Sequence, residues 1–282
     1  MNKLLIVGYG DIARRTLPHL RQRYEVHALS RHPLDANASV VPIYADLDDP
    51  ASLASAVGQW DALLHFAPPG ETAEVDQRTR HLVDAFKAAK ILPRKLLYIS
   101  TSGVYGDCRG GCVDESSSLQ PRTARARRRV DAEQQLRAWC DACVILRVPG
   151  IYAADRLPIE RLRKGTPVLR AEDDVYTNHI HAEDLAMICA IALEQAAPGT
   201  IYNISDDSSI KMGDWFDLVA DRCGLRRPPR ITLEEASQQI PAQLLSFMNE
   251  SRRLVNARMK KELGLKLLYP TVYEGVPDVR AI

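Results

Sequence analysis

The sequence predicts an α/β fold in which a doubly wound parallel sheet carries helices on both faces. Short apolar segments alternate with helix-forming segments from the first residues onward, which is the pattern of successive βαβ units. A glycine pair directly follows the first apolar segment and precedes a helix. The 282 residues, 46% of them hydrophobic and 26% charged, suffice for one large domain with a smaller lobe attached.

The strands and helices follow one another in a regular order. Apolar runs predict strands at 3–7, 24–29, 40–44, 61–66 and 95–100. The helices expected between them are one that begins after Gly10, a short one capped within 46–50, and a long one over about 71–90. Strands that alternate with helices at this spacing pair in parallel, because each helix crosses back over the sheet.

The first turn carries a G-x-G-x-x-A pattern at Gly8, Gly10 and Ala13. Gly8 is expected to turn the chain tightly off the strand, and Gly10 to let the backbone approach a pyrophosphate. Ala13 would keep the helix close to the sheet, while the helix start at Asp11 and Ile12 offers free N–H groups and the positive end of the dipole. The pattern predicts a dinucleotide site; the alternative is a glycine turn that serves packing only.

The end of the second strand bears on the choice of nucleotide. An acidic side chain there would bind a ribose 2′-hydroxyl, whereas an arginine accommodates a 2′-phosphate. The sequence has Ser30, Arg31 and His32 at this point and no carboxylate. NADP(H) is therefore favoured over NAD(H), although NAD(H) is also possible. The alternative for Arg31 is that it is a solvated residue at the end of the strand.

The composition argues against several classes of function. A net charge of +1 gives no general attraction to nucleic acid or anionic lipid, and no apolar run approaches the ~20 residues of a membrane span. The short N-terminal apolar stretch is already used as a strand, so no signal peptide is expected. We expect a cytoplasmic protein that acts on a small molecule.

The six cysteines are expected to be reduced thiols. Cys140 and Cys143 form a CxxC, but a zinc site would need a second ligand pair at suitable spacing, and the sequence has none. Cys108 and Cys112 share a glycine-rich loop and are close enough in sequence to pair, although nothing requires it.

Several short segments occur in the order and spacing of one enzyme family. They are the glycine turn, Asp46-Leu47, His65-Phe66-Ala67, Ser100-Thr101 with Val104-Tyr105-Gly106, and the stretches 146–152, 179–185, 202–207 and 261–264. On these motifs, which cover nearly the whole length, the chain resembles the extended short-chain dehydrogenases/reductases, the NAD(P)-dependent epimerase/dehydratase family. The resemblance implies a Rossmann domain over 1–150 to which 174–205 return, and a smaller C-terminal α/β lobe for substrate over 151–173 and 206–282.

The resemblance also implies which residues form the site. Thr101 takes the place of the family's catalytic Ser or Thr, with a satisfied strand-end threonine as the alternative. Tyr105 is the nearest phenol for proton transfer, with packing or substrate stacking as the alternatives. Further cofactor contacts are expected at Asp46, Leu47, Phe66, Ala67, Pro68, Ser100, Arg129 and Pro149. Substrate contacts are expected at Ser102, Tyr105, Arg125 and Ile151.

Two departures separate the chain from the usual family pattern. The usual G-x-x-G-x-x-G has Val7, Gly10 and Ala13 at its three glycine positions here, with Gly8 supplying the turn. Such variants belong to the members of the family that are called atypical.

The second departure affects the chemistry. The family's Tyr-x-x-x-Lys lies on the helix after strand five, and aligning that helix by Pro121 and Glu133 puts Arg125 and Arg129 at the Tyr and Lys positions. A guanidinium with a pKa above ~12 does not exchange protons near neutrality, so Arg125 cannot replace the tyrosine. Arg129 can still hold a ribose or a phosphate by hydrogen bonds.

Five arginines lie within 122–129. Helical spacing puts Arg122, Arg125 and Arg129 on one face and Arg127 and Arg128 off it. The usual interpretation of such a cluster is a solvated face. The functional interpretation is an anion site for a phosphorylated substrate or for the cofactor phosphates. Nucleic acid is disfavoured because no aromatic residues interleave with the arginines.

His179 and His181 precede Asp184 and would lie on one side of an extended segment. Because the resembling motif is structural in the family, we expect these residues to tie a strand to the next helix, and no metal is predicted. Positions 185, 188, 192 and 193 recur at helical spacing and predict a core-facing helix.

Two functions remain open at this point. The first is an NAD(P)-dependent oxidoreductase or epimerase/dehydratase-like enzyme that transfers hydride to or from a small or sugar-like carbonyl or hydroxyl substrate. The alternative is a non-catalytic NADP(H)-binding sensor or interaction protein that has lost the acid/base tyrosine. The resemblance implies a homodimer as the default assembly.

Overall fold

The computed structural model describes residues 1–35, 39–71 and 74–278. The strands are β1 (Asn2–Val7), β2 (Tyr24–Ser30), β3 (Val41–Tyr44), β4 (Ala62–His65), β5 (Lys95–Thr101), β6 (Cys112–Val113), β7 (Cys143–Val148), β8 (Gly150–Tyr152), β9 (Val168–Leu169), β10 (Tyr176–Thr177), β11 (His179–His181), β12 (Ile201–Asn203), β13 (Ile210–Lys211), β14 (Arg230–Ile231) and β15 (Arg253–Leu254). The helices are α1 (Asp11–Leu20), α2 (Gln77–Ala88), α3 (Ala124–Trp139), α4 (Ile159–Arg163), α5 (Ala182–Gln195), α6 (Met212–Arg222), α7 (Leu233–Gln239), α8 (Ala242–Met248), α9 (Ala257–Leu263) and α10 (Val272–Gly275).

The predicted doubly wound parallel sheet is confirmed. Seven strands lie in the order β12-β7-β5-β4-β1-β2-β3, and every neighbouring pair is parallel. The chain winds outward in one direction from β1 through β2 to β3, and in the other through β4, β5, β7 and β12. The loops after β1 and β4 therefore meet where the strand order reverses, which is the position at which such sheets bind ligands.

Alternate residues of β1 enter different cores, because successive side chains of a strand point to opposite faces. Leu4 and Ile6 belong to a cluster covered by α1 and α5, whereas Leu5 and Val7 belong to a cluster with α2 and α3. The helices thus cover both faces, and the predicted core-facing positions of α5 are buried.

Local sequence signals account for several element boundaries. Asp49 accepts a hydrogen bond from the Ala51 N–H and caps the short 3₁₀ helix Pro50–Ala56. Thr123 accepts one from the Ala126 N–H at 3.1 Å and begins α3. The expected helix over 71–90 is shorter: α2 begins after Asp76, whose side chain caps it, and residues 72 and 73 lie outside the described residues.

A third apolar cluster draws on residues between Tyr152 and Leu169 and between Ile210 and Val276, including Trp215 and Phe216. This grouping follows the ranges expected for the small lobe, whose last four residues (279–282) lie outside the described part. However, Met259, Leu263 and Leu267 pack into the core of the large sheet. The division of the chain into two domains remains a prediction.

Among the described residues, no helix combines the length and the apolar character that crossing a bilayer requires.

Candidate functional site

The two glycines of the first turn have different surroundings. Gly8 has φ +91°, and a Cβ there would lie 2.6 Å from the Ala67 backbone nitrogen. The loops after β1 and β4 touch at this point, since Phe66 and Ala67 both donate their N–H groups to the Val7 carbonyl. A Cβ on Gly10 would meet nothing within 4 Å. Gly8 therefore serves the close approach of two loops, whereas Gly10 faces open space.

A cavity of about 260 Å³, which we call the glycine-turn cavity, opens beside this turn. It is lined by nine of the residues predicted to bind the cofactor: Gly8, Gly10, Ser30, Arg31, Asp46, Leu47, Phe66, Ala67 and Pro68. Tyr9, Leu29, His32 and Arg78 also line it. Arg31 is exposed there.

Arg78 was missed by the sequence analysis. Its guanidinium donates to both carboxylate oxygens of Asp48, at 2.8 and 2.5 Å, and to the Pro68 carbonyl at 3.2 Å. This contact holds the pKa of Asp48 below its usual range. Arg78 thereby links the loops after β3 and β4 along the cavity wall. Thirty residues separate the pair, so no local spacing signals it.

Not every predicted cofactor contact lies in this cavity. Asp11 accepts from Arg15 at 2.9 Å and from Arg156 at 2.8 Å, while Ile12 and Ala13 pack against the core. Ser100 is buried and donates to Glu133 at 2.5 Å. The side chains of these residues are thus engaged within the protein, and a cofactor contact through the helix backbone remains a prediction.

Two further cavities adjoin each other near the end of β5. The Thr101 cavity, about 200 Å³, is lined by Thr101, Ser102, Gly103, Thr123, Arg125, Ala126, Pro149, Gly150, Tyr176, Thr177, Asn178, Met212, Phe247, Glu250 and Arg252. The arginine cavity, about 730 Å³, is lined by Pro68, Pro69, Glu71, Thr101, Thr123, Arg125, Arg128, Arg129, Ala242 and Ser246. Pro68 also lines the glycine-turn cavity, so the three spaces follow one another along the carboxyl edge of the sheet.

Thr101 lines both the Thr101 cavity and the arginine cavity. Its hydroxyl oxygen accepts the Gly103 N–H at 3.2 Å, and the side chain is only partly buried. A hydroxyl in this arrangement keeps its own proton available for a substrate oxygen. The geometry is compatible both with the predicted role and with the alternative of a satisfied strand-end threonine.

Tyr105, for which the resemblance implies proton transfer or a substrate contact, is not among the described residues that line the three cavities. Its side chain is 1% exposed, and its hydroxyl donates to Asn203 at 2.8 Å and accepts from Arg147 at 2.9 Å. Burial raises its pKa. Because the side chain is buried and its hydroxyl is hydrogen-bonded to two other residues, the geometry favours packing over proton transfer or substrate contact.

Arg147 and Glu133 form a buried ion pair beneath the Thr101 cavity. Their atoms are 2.8 Å apart, and the two side chains are 4% and 5% exposed. Glu133 also accepts from Ser100, and Arg147 donates to Tyr105. The pair is fully hydrogen-bonded, as a charge removed from water must be to be tolerated.

The arginines of α3 divide between the site and the surface. Arg125 lies with its guanidinium carbon 4.2 Å from the centre of the Phe247 ring, and Arg129 donates to the Tyr98 hydroxyl at 2.9 Å and the Ile99 carbonyl at 2.7 Å. Arg128 lines the arginine cavity with them, although helical spacing had placed it off this face.

Arg122 forms an ion pair with Asp107 at 3.4 Å, and Arg127 forms one with Glu74 at 2.8 Å. Neither of these two arginines is among the described residues that line the three cavities.

Pro149 and Ser102 line the Thr101 cavity, whereas Ile151 packs against the core and is not among the described lining residues.

His179 is buried, which lowers its pKa to about 3, and His181 accepts the Glu183 N–H at the start of α5. Among the described residues no group of three His, Cys, Asp or Glu side chains is placed to hold a metal ion. All six cysteines are free thiols.

The profile of the NAD dependent epimerase/dehydratase family matches residues 4–205. This chain belongs to that family. The match spans every strand of the seven-stranded sheet and the residues that line the glycine-turn cavity.

The relatives with known structures support the same family and fold. A conserved protein of unknown function from Silicibacter pomeroyi is 32% identical, with a TM-score of 0.84 over 100% of this chain and 99% of its own. A UDP-glucuronic acid 4-epimerase from Bacillus cereus in complex with NAD is 18% identical, with a TM-score of 0.74 over 98% of this chain and 96% of its own, and shows the shared fold.

Among curated proteins, the human dTDP-D-glucose 4,6-dehydratase is 26% identical over 176 residues. The matched segment is 51% of this chain and spans only about half the length (50%) of the human enzyme.

In this member of the epimerase/dehydratase family, α3 lies beside the Thr101 cavity. From Ala124 to Trp139, α3 contains neither a tyrosine nor a lysine, and arginines occupy the positions nearest the cavity. The assignment of Arg125 and Arg129 to the family's Tyr and Lys positions remains a prediction.

Proposed function

We propose that the protein is an NAD(P)-dependent oxidoreductase of the epimerase/dehydratase type, which transfers hydride to or from a small or sugar-like carbonyl or hydroxyl substrate. The observation that carries the proposal is the continuous row of three cavities along the carboxyl edge of the sheet. It runs from the turn that presents Gly10 to the hydroxyl of Thr101. A dinucleotide followed by a substrate needs such an elongated site.

The residues beside the glycine turn fit a dinucleotide. The open space at Gly10 leaves room for a pyrophosphate against the backbone, and the N-terminus of α1 directly follows. Leu47 and Phe66 would offer apolar surface to an adenine, and Arg31, which lines the same cavity, would bind a 2′-phosphate. We therefore include a preference for NADP(H) in the proposal.

The nicotinamide supplies the hydride chemistry when it is bound. The hydroxyl of Thr101 would bind and orient the reacting oxygen of the substrate. Arg129, anchored through Tyr98 and Ile99 at the edge of the arginine cavity, would hold a ribose hydroxyl or a phosphate. Because Tyr105 is enclosed, the proton would be exchanged with water that enters the open arginine cavity.

The first experiment is a titration of the purified protein with NADPH and with NADH, followed by nicotinamide fluorescence. Tighter binding of NADPH than of NADH would support the proposal and justify a search for carbonyl and hydroxyl substrates with that nucleotide. Failure to bind either nucleotide would refute it. The non-catalytic alternative is not favoured, since the relatives with a named activity are enzymes.

The proposal also includes a homodimer and a cytoplasmic location. Sedimentation equilibrium would test the first, and fractionation of the source cells would test the second.

A further inference from the structure

The wall of the Thr101 cavity carries a charged pair from the C-terminal part of the chain. Arg252 donates to Glu250 at 2.9 Å and to the Gly106 carbonyl at 2.5 Å. The two side chains are 12% and 10% exposed, so the pair is largely shielded from solvent while lining the cavity. The roles assigned to residues in the proposed function do not include a carboxylate at this place.

Each member of the pair keeps one polar atom unsatisfied. Within the described residues, Glu250 Oε1 and Arg252 Nε are buried and have no hydrogen-bond partner. A shielded donor or acceptor without a partner costs free energy, and the cost is greater when the group is charged. A ligand in the adjoining cavity that accepts from one atom and donates to the other would remove this cost after a small side-chain rotation.

The surroundings of the pair are positively charged. Four arginines (Arg125, Arg128, Arg129 and Arg252) and two glutamates (Glu71 and Glu250) are among the described residues that line the Thr101 and arginine cavities. Arg125 retains solvent exposure, yet partial burial and the neighbouring arginines lower its pKa, although Glu250 acts in the opposite direction. An anion between these side chains would relieve that repulsion.

We propose that the two cavities bind a substrate with one acidic group and several hydroxyls. This substrate is a polyol that carries either a free carboxylate or a phosphate ester. The acidic group lies between Arg125 and Arg252, and a hydroxyl donates to Glu250. The opposite end of the same molecule then reaches Thr101, which lines both cavities with Arg125. This inference names the substrate class of the proposed function and rests on it.

The carboxylate of Glu250 affects which acidic ligands the site accepts. Glu250 disfavours a second acidic group close to Arg252, so the structure favours a ligand with one acidic group over a dicarboxylate. Glu250 also offers an acceptor for a hydroxyl donor, which sulfate lacks.

Isothermal titration of the NADP⁺-saturated protein at constant ionic strength tests the proposal. The probes are D-glucuronate, D-glucose 6-phosphate and, as the neutral reference, D-glucose. We expect at least one of the two acids to bind ten-fold or more tightly than glucose. The comparison between the acids distinguishes a carboxylate from a phosphate as the recognised group.

Variants locate the binding. Arg252→Gln and Arg125→Gln should each weaken the acid about 10- to 100-fold, and Arg252→Lys should retain part of the affinity because it keeps the charge without the fork geometry. Arg127→Gln removes a charge from the same helix outside the cavities and should leave the affinity unchanged. Circular dichroism of each variant verifies that it is folded.

Equal affinity for glucose and for both acids, the absence of binding by all three, or an equal loss in Arg127→Gln would overturn the proposal. Nucleotide titration of the same samples separates this result from the proposed function. A protein that binds NADPH without discriminating acids from glucose refutes the acidic substrate only. A protein that binds the acids and no nucleotide supports the anion site and refutes the oxidoreductase.

Discussion

The glycine-turn cavity and the Thr101 cavity lie at the same edge of one sheet but are built in different ways. The first is formed mainly by residues at or shortly after the ends of the strands β1 to β4, with Arg78 of α2 beside them. The second gathers residues from Thr101 to Arg252 and depends on the charges of long side chains. The nucleotide end is thus a property of local turns, whereas the substrate end is a property of tertiary structure.

The largest expected effect is at the glycine turn itself. Gly8→Val introduces a Cβ 2.6 Å from the Ala67 nitrogen at φ +91°, so the loops after β1 and β4 must separate. We expect a loss of about 3–5 kcal/mol or more in the free energy of unfolding, measured by urea denaturation. Gly10→Ala should cost about 1 kcal/mol or less yet weaken NADPH at least ten-fold. Equal stability of the two variants would contradict the division of labour between the glycines.

A second large effect is expected at the buried pair beneath the Thr101 cavity. Arg147→Met leaves the Glu133 carboxylate without its cation, which should cost about 3–5 kcal/mol in the free energy of unfolding. The matched change Arg163→Met breaks an exposed pair with Glu160 and should cost about 0.5 kcal/mol or less. Comparable losses in the two urea titrations would show that the buried network is not a structural support.

Arg31→Ala should weaken NADPH about 10- to 100-fold and change NADH little, because only NADPH carries a 2′-phosphate. Nicotinamide fluorescence measures both affinities. Arg21→Ala, which removes an equal charge at the far end of α1, serves as the control. If both nucleotides lost affinity equally, Arg31 would not contact the 2′-phosphate.

The smallest effect is expected from Tyr105→Phe. The change removes a buried hydroxyl that bonds to Asn203 and Arg147, so thermal unfolding should reveal a loss of about 1–2 kcal/mol. Nucleotide affinity, and turnover once a substrate is found, should stay within about two-fold. A fall in turnover of a hundred-fold or more with unchanged stability would restore Tyr105 as the acid/base.

The part of the structure that could be predicted from sequence is the part that local patterns determine. Apolar runs of five or six residues located the first five strands, and the cap expected within 46–50 located the start of the short 3₁₀ helix, because these signals act within a few residues. Nine of the predicted cofactor residues line one cavity for the same reason: each lies at the carboxyl end of a strand of the parallel sheet or within three residues after it.

The remaining features of the site depend on contacts between residues that are far apart in sequence, and the spacing of residue types does not predict such contacts. Tyr105 looked available because it lies four residues after Thr101, yet a short 3₁₀ turn directs its side chain into the interior, where Asn203 and Arg147 meet it. Arg78 was missed because its partner Asp48 lies 30 residues away, and Glu250 was missed because most of the residues that line its cavity come from distant segments.

The packing of α1 against α5 also determines how the chain is made. Arg15 of α1 pairs with Glu183 of α5 at 2.5 Å, and 168 residues separate them. At about 5–20 residues per second, the ribosome needs about 10 to 30 s to produce the second helix after the first. During that interval Leu4 and Ile6 lack the part of their native cover that α5 provides, which includes Leu185 and Ile188. This apolar face of the sheet therefore stays incompletely covered until more than two thirds of the chain has been synthesised.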